Sequence, residues 1–130
     1  MIGLDTNVIV RYLTADDAAQ LRAVDRLVAR AIDQEELLAI SHGVLAETVW
    51  VLEAAYGYPK ADLLTALDAI LETRQFFIED KDSVRAAIED YRAGKGDFSD
   101  YLFARHYGRL GCDTMATFDR SLRGALFTKL

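Results

Sequence analysis

The sequence predicts an α/β fold built on parallel strands, and three observations predict it. Strand-length runs recur along the chain at Met1–Leu4, Leu37–Ile40, Phe76–Ile78 and Cys112–Thr117. Longer stretches between them place apolar residues at helical spacing. Strands separated by helices need crossover connections, which pair the strands in parallel.

Met1–Leu4 is a short apolar strand ending at Asp5, and Asn7–Leu13 follows as a short helix. From Ala15 to about Gln34 the residues Leu21, Val24, Val28 and Ile32 recur every three or four positions among charged neighbours, the pattern of an amphipathic helix. Leu37–Ile40 reads as a buried strand, with Ser41 as the N-cap of a helix running to about Ala55. Gly57-Tyr58-Pro59 is the clearest break, and its proline, the only one in the chain, opens the next helix. That helix carries Leu63, Leu64, Leu67, Ile70 and Leu71 on one face. Phe76–Ile78 is the third strand, and Val84, Ile88 and Tyr91 mark a helix after it. Gly94-Lys95-Gly96 is a loop, Tyr101–Tyr107 a helix and Gly108–Gly111 a turn. Cys112–Thr117 is the fourth strand, and Ala125–Thr128 has the makings of a fifth.

The 130 residues suit a single domain, 1–130, with a hydrophobic core. No repeat, linker or low-complexity tract divides them. No apolar run approaches the ~20 residues of a membrane span, so no membrane association is expected. The first ten residues lack the basic segment and cleavage site of a signal peptide. The lone Cys112 precludes an internal disulfide, suits a reducing cytoplasm, and is expected to be buried in its strand.

The net charge of −6 is unevenly spread. Residues 92–130 hold seven basic and four acidic side chains, or +3, which leaves −9 on residues 1–91. A polyanion near the C-terminal third is therefore compatible with the acidic total, provided cations help to neutralise the carboxylates. Arg105, Arg109, Arg120 and Arg123 are the candidate nucleic-acid contacts.

The carboxylates carry the chemistry. Asp5 ends the first strand, where an open α/β sheet places its active site, although the same position suits a helix cap. Glu47 shares a helix side with Val44 and Val51, and no Lys or Arg lies between Arg30 and Lys60 to pair with it. A glutamate in such a stripe is costly unless paired, protonated or metal-bound. Asp97 and Asp100 stand three apart at a helix start, either as caps or as neighbouring ligands. Asp119 follows the fourth strand, again as cap or ligand. The order of the elements gathers all of them at one edge of one sheet. Carboxylates so gathered repel one another unless a hard divalent cation is present. His42 and His106 are expected to be structural or surface residues.

Four stretches, Leu4-Asp5-Thr6-Asn7-Val8-Ile9, Ser41 with Leu45-Ala46-Glu47, Gly96-Asp97-Phe98-Ser99-Asp100-Tyr101-Leu102-Phe103-Ala104, and Met115-Ala116-Thr117-Phe118-Asp119, together resemble the motifs of PIN domains. More narrowly they resemble the VapC-type ribonuclease toxins of bacterial and archaeal toxin–antitoxin modules. The resemblance spans nearly the whole chain and implies a three-layer α/β/α fold with a central parallel sheet of four to five strands. It assigns Asp5, Glu47, Asp100 and Asp119 as the acidic quartet, with Asp97 as an additional ligand or supporting residue. Thr6, Asn7 and Thr117 match supporting polar positions. Gly96, Ser99 and Tyr101 depart from the pattern, since alanines are common there.

The implied activity is endoribonucleolytic hydrolysis by water activated on one or two Mg²⁺ or Mn²⁺ ions, held by Asp5, Asp100 and Asp119. Glu47 binds metal through water or accepts a proton. The implied partners are an RNA substrate, a second copy in a homodimer, and a VapB-like antitoxin that inserts an arginine or lysine into the acidic site. The competing readings are an RNA-processing PIN nuclease outside a toxin module, a non-catalytic PIN-like binding module, and an α/β interaction domain whose acids merely cap helices. A haloacid dehalogenase-type phosphatase is disfavoured because its motif needs a second aspartate where Asn7 stands.

Overall fold

A computed structural model describes residues 1–130, which form two compact units, Met1–Glu79 and Asp80–Leu130. Six α-helices and five short strands make up the chain, and every strand pair is parallel. The α/β class expected from the sequence is thus the observed one.

The first unit begins with β1 (Ile2–Gly3), α1 (Thr6–Thr14) and α2 (Ala18–Asp33). It continues through β2 (Leu38–Ile40), α3 (His42–Ala54), α4 (Lys60–Glu72) and β3 (Phe76–Ile78). Its sheet has the order β1-β2-β3, with Leu38 in register with both Ile2 and Phe76. Leu38, Ile40, Phe76 and Ile78 are buried, so the middle and third strands are held by side-chain burial as well as by the ladder. Each helix start has a cap drawn from the strand end before it or the loop between. The Asp5 carboxylate accepts from Thr6 N–H at 2.8 Å, that of Asp17 from Gln20 N–H at 3.0 Å, and Ser41 Oγ from Val44 N–H at 3.3 Å. Pro59 takes the cap position of α4, where its missing N–H removes no helix bond.

Helix α1 packs on α2 and α3. A polar clasp closes this corner. Arg11 donates to Tyr56 Oη at 2.7 Å and to Gln20 Oε1 at 2.6 Å, while Tyr56 Oη donates to Asp16 Oδ2 at 2.7 Å. On α2 the buried residues are Val24 and Ala31, and Ile32 is 59% exposed. The helical spacing of Leu21, Val24, Val28 and Ile32 was read correctly as a helix, but the stripe leaves the core at its C-terminal end.

The second unit comprises α5 (Lys81–Ala93), α6 (Phe98–Arg109), β4 (Met115–Thr117) and β5 (Phe127–Lys129). Helices α5 and α6 pack together, with Val84, Ala87, Ile88 and Tyr91 facing Phe98, Leu102 and their neighbours in the core. Tyr91 and Phe98 meet edge to face at 6.0 Å, as do Tyr101 and Phe127 at 5.8 Å. Gly108 belongs to α6, so the expected turn begins only after Arg109. Cys112 is exposed and lies before β4, contrary to the expectation of a buried strand residue. The segment Gly111–Thr114 is solvated and makes no ladder, so burial there has nothing to act on.

Strands β4 and β5 pair in parallel, with Met115 opposite Phe127 and Thr117 opposite Lys129. Residues 118–126 connect them without a helix, a short route for a parallel crossover, usually a dozen residues or more. Two devices allow it. A turn closes on Asp119, and Gly124 adopts φ 103, a conformation open to glycine. Leu122, fully buried, anchors the middle of the crossover. The five strands are hydrogen-bonded as a three-stranded and a two-stranded parallel sheet, compatible with the four to five parallel strands expected. With two or three residues each, the strands complete their ladders with the neighbours named above.

Candidate active site

Helix geometry and strand ends position the candidate carboxylates. In the first unit, Asp5 follows β1 and caps α1, as its position beyond the strand suggested. Its Oδ1 takes the Thr6 N–H, and the side chain is exposed. Thr6 is buried under the helix start, and Asn7 is exposed beside it.

Glu47 sits on the second turn of α3 and is exposed. The buried face of that helix is His42, Leu45, Thr48, Val49 and Leu52, while Val44 and Val51 are only half-buried. The sequence argument that Glu47 lies in an apolar stripe and needs compensation therefore fails. Position 47 lies outside the buried arc, and water solvates its carboxylate. Glu47 makes no hydrogen bond or ion pair, which leaves both oxygens open to a ligand. His42 is buried, its Nε2 lying 2.6 Å from the Glu79 carbonyl oxygen.

The second unit brings three candidate acids together. Asp97 caps α6, and the Asp100 side chain reaches back so that its Oδ2 accepts from Asp97 N–H at 3.2 Å. The capping arrangement read from the sequence is present, and it also fixes the rotamer of Asp100. Asp119 begins the crossover after β4. Its Oδ1 accepts from Ser121 N–H at 2.8 Å and from Ser121 Oγ at 2.7 Å, while its own N–H donates to Thr117 Oγ1 at 3.0 Å. Thr117 thus holds the backbone of Asp119, and Ser121 holds one carboxylate oxygen, leaving Oδ2 unbonded.

The electrostatics of this group are uneven. Burial raises the Asp100 carboxyl above the ordinary aspartate value, and the neighbouring charges of Asp97 and Asp119 push it further, against the Asp97 N–H. The Asp119 carboxyl lies below its ordinary value, chiefly because the Ser121 hydroxyl and then the Ser121 N–H stabilise the anion, with Lys129 adding attraction. One acid is destabilised as an anion and its neighbour is prepared as one. Neither Asp97 nor Asp100 has a basic ion-pair partner. Unbonded carboxylate oxygens under mutual repulsion are a donor set suited to a hard divalent cation, so these residues fit Mg²⁺ or Mn²⁺.

Sequence reasoning missed Ser121 and Lys129. Ser121 was legible in principle, since an aspartate followed two residues later by serine signals a side-chain-to-backbone turn. Lys129 was not, because only the β4–β5 register sets it opposite Thr117. The four arginines separate clearly. Arg105 pairs with Asp90 through two bonds, at 2.7 and 2.8 Å, and Arg109 lies 3.3 Å from Asp80. Arg120 and Arg123 are exposed and make no ion pair.

Known proteins are similar to the chain over most of its length. The chain is similar to a VapC ribonuclease of Aquifex aeolicus (strain VF5), at 25% identity over 120 residues covering 92% of this chain and 88% of that protein. The PIN domain pattern matches residues 2–125. Acidic residues at the first strand end, on α3, at the start of α6 and after β4 run through that whole match, and the chain belongs to the PIN domain family.

Proposed function

We propose that the protein is a divalent-metal-dependent endoribonuclease and the toxin of a VapBC-like toxin–antitoxin module. The observation that carries the reading is the group Asp97, Asp100 and Asp119, in which Asp100 is destabilised as an anion by burial and two like charges. Such an arrangement weakens the fold unless a cation joins it, and a functional cation accounts for that cost. The similarity to a VapC ribonuclease supports the choice of RNA as substrate. The family match runs through both compact units, which supports reading residues 1–130 as one domain.

In this reading Asp5, Asp100 and Asp119 hold one or two Mg²⁺ or Mn²⁺ ions, and Asp97 adds negative charge beside them. A bound ion supplies Lewis acidity, polarising the phosphate and acidifying water for in-line attack. The chain's own residues prepare the site. Ser121 and Thr117 orient Asp119 with Oδ2 outward, and the Asp97 N–H orients Asp100. Glu47, solvated and unpaired, accepts the proton of the attacking water or holds a water in place. Thr6 and Asn7 support Asp5 at the start of α1. The exposed Arg120 and Arg123 contact the substrate, and Arg105 and Arg109, engaged with Asp90 and Asp80, contribute less. A VapB-like antitoxin would inhibit by placing a basic side chain among the acids. Homodimerisation and a cytoplasmic location are part of the same proposal. No helix is long and apolar enough to cross a membrane.

The test is cleavage of labelled structured RNA by antitoxin-free protein with Mg²⁺, with Mn²⁺ and with chelator, beside Asp5→Asn. Cleavage that needs the metal and disappears in Asp5→Asn is the expected result. Metal-independent cleavage, or full activity of Asp5→Asn, refutes it.

A further inference from the structure

Beside Asp119, within the second unit, lies an open cavity of about 370 Å³ whose wall includes Lys95, Tyr101, Ser121, Arg123, Asp90 and Phe127. Its charge is positive in effect. Lys95 and Arg123 make no ion pair, whereas Asp90, the one acid in the wall, is neutralised by its two bonds to Arg105. Its hydrogen-bonding capacity is also directed. The Tyr101 ring is buried, and its Oη accepts from Gly96 N–H at 3.0 Å, which leaves the phenolic proton without an acceptor.

The loop over this ring is built for it. A Cβ at Gly94 would collide with the Tyr101 hydroxyl, and one at Gly96 with Leu122. Gly96 and Tyr101, two of the departures from the common family pattern, meet through the Gly96 N–H bond to the tyrosine, and Gly94 leaves the room that the hydroxyl occupies. Ser121 joins the cavity to the acidic group, because the same side chain that lines the wall donates to Asp119 Oδ1 at 2.7 Å.

We infer that this cavity is a subsite for a backbone phosphate of the RNA strand, next to the phosphate that is cleaved, bound by Lys95, Arg123 and the Tyr101 hydroxyl. The inference rests on the nuclease reading. Two cations and a neutral donor suit a phosphate, and a strand whose scissile phosphate sits at Asp119 carries its neighbouring phosphate past Ser121. The Phe127 wall gives the attached nucleotide an apolar surface. Such a contact is independent of base identity, so it sets affinity and register on the strand rather than sequence choice.

Binding and cleavage test it separately. Binding of a short fluorescent single-stranded RNA is measured by anisotropy in chelator, for wild type, Lys95→Ala/Arg123→Ala and Tyr101→Phe, over a range of salt concentrations. Cleavage by the same proteins is measured with Mg²⁺. The double variant is expected to bind about tenfold more weakly or worse, as for loss of a charge-assisted contact. Its slope of log affinity against log salt should fall by about 0.7. Tyr101→Phe should bind more weakly with an unchanged salt slope. Replacing one phosphate of the RNA by a neutral methylphosphonate should weaken wild type and leave the double variant unaffected. Unchanged affinity and salt slope in the double variant overturn the subsite, as does absence of RNA binding by wild type. RNA binding that follows these expectations without metal-dependent cleavage by wild type sustains the subsite and refutes the nuclease.

Discussion

Replacing Asp100 by asparagine should make the protein more stable and nearly inactive. The carboxylate is partly buried and faces two like charges, Asp97 and Asp119, with no basic partner of its own. Partly exposed charge pairs are worth about 0.2–1 kcal/mol each, and repulsion is of similar size. Asparagine keeps an oxygen to accept the Asp97 N–H, so the cap of α6 survives while the repulsion goes. The net gain is about 0.5–1 kcal/mol in metal-free buffer near neutral pH, or about 2–5 °C in Tm for a chain of this size. Activity should fall at least about a hundredfold, as for loss of a preorganised electrostatic group.

The assay is paired thermal melts in chelator and in Mg²⁺, with RNA cleavage on the same samples. Magnesium should raise the Tm of wild type more than that of the variant, because a ligand stabilises only what binds it. The pH dependence has a definite sign. The folded Asp100 carboxyl is raised, so its destabilising effect grows as pH rises above the ordinary aspartate value and is complete above the folded value. The advantage of the variant should therefore vanish as pH falls below the ordinary aspartate value. A metal-free Tm for Asp100→Asn at or below that of wild type refutes the electrostatic reasoning, whatever the activity.

Gly96→Ala should destabilise by about 1–3 kcal/mol, since the new methyl meets Leu122 in a filled core; an unchanged urea midpoint contradicts the packing described. Ser121→Ala should lower cleavage about tenfold by removing one of the two donors to Asp119 Oδ1, with Ser121→Thr recovering much of it. Equal loss in both variants would argue against a role for the hydroxyl. In the α1–α2 corner, the Tyr56 hydroxyl, followed by Thr14, holds the Asp16 carboxyl below its ordinary value. Its contribution to stability is present above the ordinary aspartate range and lost as pH falls through the lowered value. Asp16→Asn should flatten the acid limb of the Tm–pH curve, and an identical limb removes Asp16 from the account.

The sequence by itself determined the parallel α/β class and nearly every helix, and it singled out the carboxylates of the proposed site. Those properties depend on local periodicity, on caps such as Ser41 and Asp97, and on motif order, all of which are written within a few residues of one another. Tertiary structure decided what depends on residues distant in the chain. Glu47 looked buried beside Val44 and Val51, yet the face of α3 that meets the core is set by α1 and α4, and it excludes position 47. Cys112 looked like strand, but no neighbour pairs with it. Arg105 and Arg123 were indistinguishable as charges until Asp90 engaged the first and left the second facing a cavity. Gly96 and Tyr101 read only as departures from the family pattern within one motif, and the fold alone showed the Gly96 N–H bonded to the Tyr101 hydroxyl. Periodicity reports which residues can be buried; partners across space determine which of them are, and which charges remain free.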